Sequence, residues 1–150
     1  MNDNLHNILG NKGEEIAANF LISKGLKILE RNWKIGDLET DIIALDGDTL
    51  VFCEVKTRTA GGFRKPEEAV DRERQMRLTA GAQAYIRQKK LDNPWRFDII
   101  AIEVAPGQRD ILHIEDAFMP TGRTIGKSSF SGESRWKQSD KSTRWRGLRK

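Results

Sequence analysis

Three charged residues of this chain stand where charge is costly. Asp41 opens the apolar run Asp41-Ile42-Ile43-Ala44-Leu45, and Glu54 and Lys56 interrupt the run Val51-Phe52-Cys53-Glu54-Val55-Lys56. Side chains on a strand alternate faces, so Glu54 and Lys56, two apart, share one face. The turn signal Asp46-Gly47-Asp48 joins the two runs as a hairpin and brings Asp41 beside them. Charges left unpaired among Ile, Val and Phe are expensive to bury. A bound divalent cation and a phosphate would offset that expense. Carboxylate oxygens suit Mg²⁺ (or Mn²⁺), which keeps several waters and takes only one or two protein carboxylates. Such a metal polarises a phosphoryl oxygen and acidifies a bound water. A neighbouring lysine orients that water or offsets charge developing in the transition state. The pattern therefore points to phosphodiester hydrolysis. Taken alone it is short, and a solvated edge strand with a surface ion pair would carry the same residues.

The elements that must position these residues are legible from periodicity. Residues 12–24 read as a helix, with Ile16 over Phe20, Ala17 over Leu21 and Gly25 as the stop. Residues 26–33 read as extended, and 38–45 with 49–57 as the hairpin. Gly61-Gly62 marks a loop. Pro66 suits the first turn of a long helix running to about residue 90, with Ala80, Ala84 and Tyr85 on one side. Residues 97–104 read as a strand, Ala105-Pro106-Gly107 as a turn and 111–115 as a further strand. The order α-β-β-β-α-β-β predicts an α/β domain, a mixed β-sheet flanked by helices.

These segments carry a resemblance. Gly13-Glu14 with Ala17, Glu39-Thr40-Asp41-Ile42-Ile43-Ala44, Leu50-Val51-Phe52-Cys53-Glu54-Val55-Lys56-Thr57-Arg58, Glu68-Ala69-Val70 and Arg96-Phe97-Asp98-Ile99-Ile100 occur in that order. They resemble five segments of the YraN family, small bacterial proteins usually described as candidate endonucleases and distantly similar to archaeal Holliday junction resolvases. The resemblance spans residues 10–118. It implies the restriction-endonuclease-like fold and a Mg²⁺-dependent endonuclease acting on DNA, with branched or junction DNA as a substrate class. It also implies a catalytic trio of Asp41, Glu54 and Lys56. A homodimer is implied too, since a four-way junction presents two symmetric scissile sites.

Three departures stand out. The family's glycine before Glu39 is Leu38 here, with Gly36 two places earlier, which suggests a shifted or bulged start to that strand. A lysine expected in the second helix is Arg74, which keeps the charge and can grip nucleic-acid phosphate but is not interchangeable with lysine where a neutral amine is needed. The chain after about Met119 has no counterpart.

Other residues divide between functional and structural readings. Glu14 shares a helix stripe with Ala17 and Leu21. It reads either as a carboxylate near the metal, with Asp41 and Glu54, or as an acid favouring the helix N-terminus. Glu39, placed on one strand face with Asp41, reads as a further metal oxygen or as a solvated residue. Arg58 continues the face of Glu54 and Lys56 and suits phosphate contact or plain surface charge. Asp98 with Arg96 reads as a structural ion pair. His113 and His6 have no partner apparent from sequence. Cys53 points away from Glu54 and reads as a core residue.

The 150 residues suit one domain, residues 1–120, followed by a basic, flexible tail, 121–150. The tail holds nine Lys or Arg against two acids, net +7. With the whole chain at +4, the remainder is −3. Trp136 and Trp145 sit among basic residues that include Arg144 and Arg146. That mixture suits phosphate contact with base stacking. It equally suits a solvated tail that aids solubility. A single cysteine excludes an internal disulfide framework. No signal-peptide pattern and no apolar run near 20 residues is present, so a cytoplasmic protein without a membrane partner is expected. The leading expectation is a DNA endonuclease. The alternative is a non-catalytic DNA-binding or complex-assembly module on the same fold.

Overall fold

The computed structural model describes residues 12–59, 70–120 and the backbone of 143–146. Helix α1 is Gly13–Ser23. It ends in a Schellman motif: Gly25 N–H donates to Ile22 O (2.9 Å) and Leu26 N–H to Leu21 O (3.0 Å). Gly25 takes φ 95°, which a side chain would strain. Strands β1 (Lys27–Ile35), β2 (Leu38–Asp46) and β3 (Thr49–Thr59) follow as an antiparallel meander. Gly47, the first residue of the β2–β3 turn, has φ 65°. Gly36 (φ 61°) turns the β1–β2 hairpin, where Ile35 pairs with Leu38 in unbroken register. The start of β2 is therefore not bulged, and the glycine serves the turn.

Helix α2 is Arg72–Lys89, followed by β4 (Trp95–Ala105) and β5 (Gln108–Phe118). Strand β4 runs parallel to β3, and every other neighbouring pair is antiparallel. A parallel step needs a crossover, and here the crossover contains α2. Helices α1 and α2 cover opposite sheet faces. Val51 and Cys53 pack with α1, Leu50 and Phe52 with α2. Cys53 is buried in the α1 layer, away from Glu54, and burial pushes its thiol pKa well up. This is the α/β order and mixed sheet of the restriction-endonuclease-like fold.

Some expectations are corrected. The second helix begins at Arg72, not Pro66. Asp71 is extended (ψ 177°) and its carboxylate accepts from Arg74 N–H at 2.8 Å, an N-cap that sets the start. Pro66, Gly61-Gly62 and Glu68-Ala69 lie outside the described residues. The buried stripe is Leu78, Ala82 and Tyr85, spaced i, i+4, i+7, while Ala80 faces solvent. Thr143–Arg146 forms a strand, β6, on the outer edge of β5, which the tail's composition gave no reason to expect. Among the described residues no helix is long and apolar enough to cross a membrane.

His113 has two partners that sequence did not reveal. Its ring is fully buried, with Nε2 2.8 Å from Asp98 Oδ2 and Nδ1 2.8 Å from Lys24 Nζ. The lysine ammonium can only donate, so Nδ1 accepts and Nε2–H donates to Asp98. Asp98 also accepts from Arg96 Nε (2.9 Å), the expected ion pair, and from Asp116 N–H (3.0 Å). This network ties the end of α1 to β4 and β5. Asp98→Ala leaves the buried His113 without its acceptor and Arg96 with Asp46 alone (3.1 Å), so it should cost about 3 kcal/mol. Urea unfolding checks this, and a loss below about 1 kcal/mol would contradict it.

Candidate active site

The β2–β3 ladder ends at the Ile42–Cys53 pair. Beyond it, Val55 N–H donates to Asp41 Oδ2 at 2.8 Å. The side chain thus replaces a main-chain acceptor at the point where the strands part. The alternation of β2 also breaks here. Ile42 and Ala44 pack toward α1, so strict alternation would send Thr40 there too. Thr40 instead lies beside α2, its Oγ1 3.5 Å from where a Cβ on Gly81 would sit. Opposite Asp41, Asn32 adopts φ 51° between paired neighbours. The period-2 argument that set Glu39 and Asp41 on one face does not carry across this point.

Glu54 lies on the central strand β3 and is 4 % exposed. Arg74 grips it with a two-pronged pair, Nε to Oε2 and Nη2 to Oε1, both 3.0 Å. Lys56 Nζ stands 3.4 Å from Oε2. The expected sharing of a face by Glu54 and Lys56 is thus observed as contact. Arg74 comes from the first turn of α2, immediately after the cap at Asp71. Its guanidinium pKa is raised, chiefly by the hydrogen bond to Glu54.

Asp41 is less well compensated. Its carboxyl is pushed from 3.8 up to about 8, first by burial, then by the Glu54 charge and less by Glu14. The Val55 N–H bond and the more distant Arg74 pull the other way. Glu14, from the first turn of α1, therefore falls within electrostatic reach of Asp41. Glu39 is exposed, and its charge acts on Arg74. Arg58 is held by Glu103 at 2.9 Å. Trp136 and the side chains of Arg144, Trp145 and Arg146 lie outside the described residues. The backbone register still runs Lys56, Ala101, Leu112, Arg144 across β3 to β6. At three strand spacings, β6 lies about 14 Å from β3 on that row.

The donor set can be tested against a metal. Among the described residues no three His, Cys, Asp or Glu side chains form a ready cage. Two carboxylates can be enough for Mg²⁺, which completes its shell with water. Asp41 is a half-buried carboxylate close to the Glu54 carboxylate, and a divalent cation would supply the positive charge that the described residues do not pair with it. Asp41 and Glu54 fit such an ion, and Glu14 is a further acid whose charge reaches Asp41.

The fold and this cluster define a restriction-endonuclease-like α/β domain with two carboxylates brought together where β2 and β3 part. A sequence model of "Uncharacterised protein family UPF0102" matches residues 13–102, and the chain belongs to that family, the YraN group of its sequence resemblance. A UPF0102 protein of Phocaeicola vulgatus is 44 % identical over 115 residues, covering 77 % of this chain and 95 % of the relative. One from Thermodesulfovibrio yellowstonii is 44 % identical over 110 residues, covering 73 % and 95 %. One from Rhodococcus opacus is 42 % identical over 118 residues, covering 75 % and 98 %.

Sequence missed the Arg74–Glu54 pair, although a basic residue in that helix was flagged. It also treated the two carboxylates as equivalent, and they are not. Removing charge from Glu54 strands Arg74, so Glu54→Gln should destabilise the metal-free protein. Asp41 behaves oppositely. Its folded pKa lies above the unfolded one, so the folded state binds the extra proton between about pH 4 and 8. Stability contributed by this group therefore falls as pH rises through that window. In chelator, Asp41→Asn should flatten the fall and unfold later than wild type at pH 9. Denaturant midpoints at pH 5 and 9 check this, and parallel pH profiles for the two proteins would contradict it.

Proposed function

We propose that this protein is a metal-dependent endonuclease that hydrolyses phosphodiester bonds in DNA, with branched or junction DNA as the favoured substrate class. The observation that carries the reading is the undercompensated Asp41 carboxyl beside Glu54, Lys56 and Arg74 on a structurally central strand pair. Two neighbouring apolar strands that bring a buried and a half-buried carboxylate together have a use for a cation. Asp41 and Glu54 hold Mg²⁺ or Mn²⁺, which when bound polarises the scissile phosphate and acidifies a water. Lys56 Nζ, about one-third exposed beside Glu54, orients the attacking water and offsets charge on the phosphate. Arg74 adds a planar donor pair suited to phosphate oxygens.

The test is a cleavage panel of single-stranded, duplex, flap and four-way-junction DNA with Mg²⁺ and with Mn²⁺. Wild type should cut at least one substrate. Asp41→Asn, and Glu54→Gln assayed below its own unfolding midpoint, should lose at least about 10²-fold in rate. Wild-type rates in either variant would remove the carboxylates from catalysis. The domain's net −3 charge favours a second reading, a non-catalytic DNA-binding or assembly module. No cleavage of any substrate, with metal-independent DNA binding, would select it.

The tail's net +7 should dominate the electrostatic part of DNA affinity. Each phosphate it neutralises adds about −0.9 to the slope of log K against log salt on duplex DNA. Truncation to residues 1–120 should weaken binding and flatten that slope in a salt titration. Equal affinities and slopes would move binding to the domain's own arginines and lysines, including Arg72 and Arg77 on α2.

A further inference from the structure

Arg74 sits in a conflict that its position resolves. It takes both oxygens of Glu54 at 3.0 Å. A metal on Glu54 needs at least one of them. A divalent cation and a guanidinium also repel at that range. The two cations therefore compete for Glu54, and the grip Arg74 has here weakens any metal held on the same carboxylate. The backbone of Arg74 is pinned, its N–H donating to Asp71 Oδ1 at 2.8 Å. Its side chain is about a quarter exposed, so the guanidinium has solvent to swing into.

Resting on the endonuclease reading above, we propose that Arg74 is a resident counter-ion exchanged in use. In the metal-free protein it neutralises buried Glu54. A metal displaces it, and the released guanidinium then takes a phosphate oxygen of the DNA bound at that metal. The exchange keeps the buried carboxylate paired in both states. It also makes metal uptake and phosphate capture mutually supportive, since the phosphate gives Arg74 a new anionic partner. Arg suits both partners because carboxylate and phosphate present similar oxygen pairs to its planar fork.

The experiment is calorimetric titration of Mn²⁺ into the full-length wild type, Arg74→Met and Arg74→Lys proteins without DNA. Removing the competing charge should tighten Mn²⁺ binding about tenfold in Arg74→Met, a modest share of what a nearby unit charge can exert. Arg74→Lys, which cannot grip both oxygens at once, should fall between. Should Arg74→Met fail to fold by circular dichroism, the lysine variant carries the comparison. Equal or weaker Mn²⁺ binding in the variants overturns the exchange while leaving the metal site and the endonuclease reading in place. No Mn²⁺ uptake by any of the three overturns the metal pocket and that reading with it. A second measurement reads duplex affinity in saturating Ca²⁺. Arg74→Met should bind about tenfold more weakly than wild type, as loss of a charge-assisted phosphate contact requires. Unchanged duplex affinity overturns the phosphate half of the proposal.

Discussion

A carboxylate on the central strand of a sheet covered on both faces cannot rely on water. Glu54 is in that position, and much of the molecule's design follows from its need for a cation. The cation comes from α2, and α2 is there because β3 and β4 are parallel. An antiparallel neighbour could have been reached by a short turn. The parallel one requires a crossover, which carries a helix back over the sheet. The cap at Asp71 fixes where that helix starts, so Arg74 in its first turn meets Glu54. Topology, capping and site charge are thus one chain of causes.

Asp41 shows the opposite solution. It stands where β2 and β3 part, takes one main-chain N–H and, among the described residues, has no cation paired with it. Burial and the Glu54 charge consequently push its carboxyl toward the protonated form. Side by side, one carboxylate is locked to an arginine and the other is held part-protonated. Both arrangements keep net charge in the cluster low. Perturbed acids of this kind concentrate at functional sites, though structural networks produce them as well. The Asp98–His113–Lys24 network on the other face is the structural kind, with each polar group matched to a partner.

Much of this was legible in the sequence because it rests on local rules. The glycine at the Asp46-Gly47-Asp48 turn, the alternation of β3 and the stop at Gly25 each act over a few residues. The contact between Glu54 and Lys56 follows from period 2 alone. Other features depend on residues far apart in the chain. Alternation breaks at Asp41 because of a distortion shared with Asn32 on the neighbouring strand. The helix ends at Lys90 in a left-handed conformation without the glycine that would have signalled it. Strand lengths were read short, 111–115 against Gln108–Phe118, because pairing with β4 extends a strand beyond its own apolar run. Arg74 was visible as a basic residue, but its grip on Glu54 depends on the crossover. The strand at Thr143–Arg146 is held by a backbone ladder, for which side-chain composition gives no sign.

The proposed endonuclease needs Asp41 and Glu54 to hold one divalent metal between them. A crystal grown metal-free and then soaked in Mn²⁺, with anomalous diffraction recorded near the manganese edge, tests it most directly. The account predicts a strong anomalous peak within coordination distance, about 2.2 Å, of both carboxylates, with Arg74 moved off Glu54. A peak bound elsewhere, or an empty pocket at saturating Mn²⁺ with Arg74 still gripping Glu54, would contradict it.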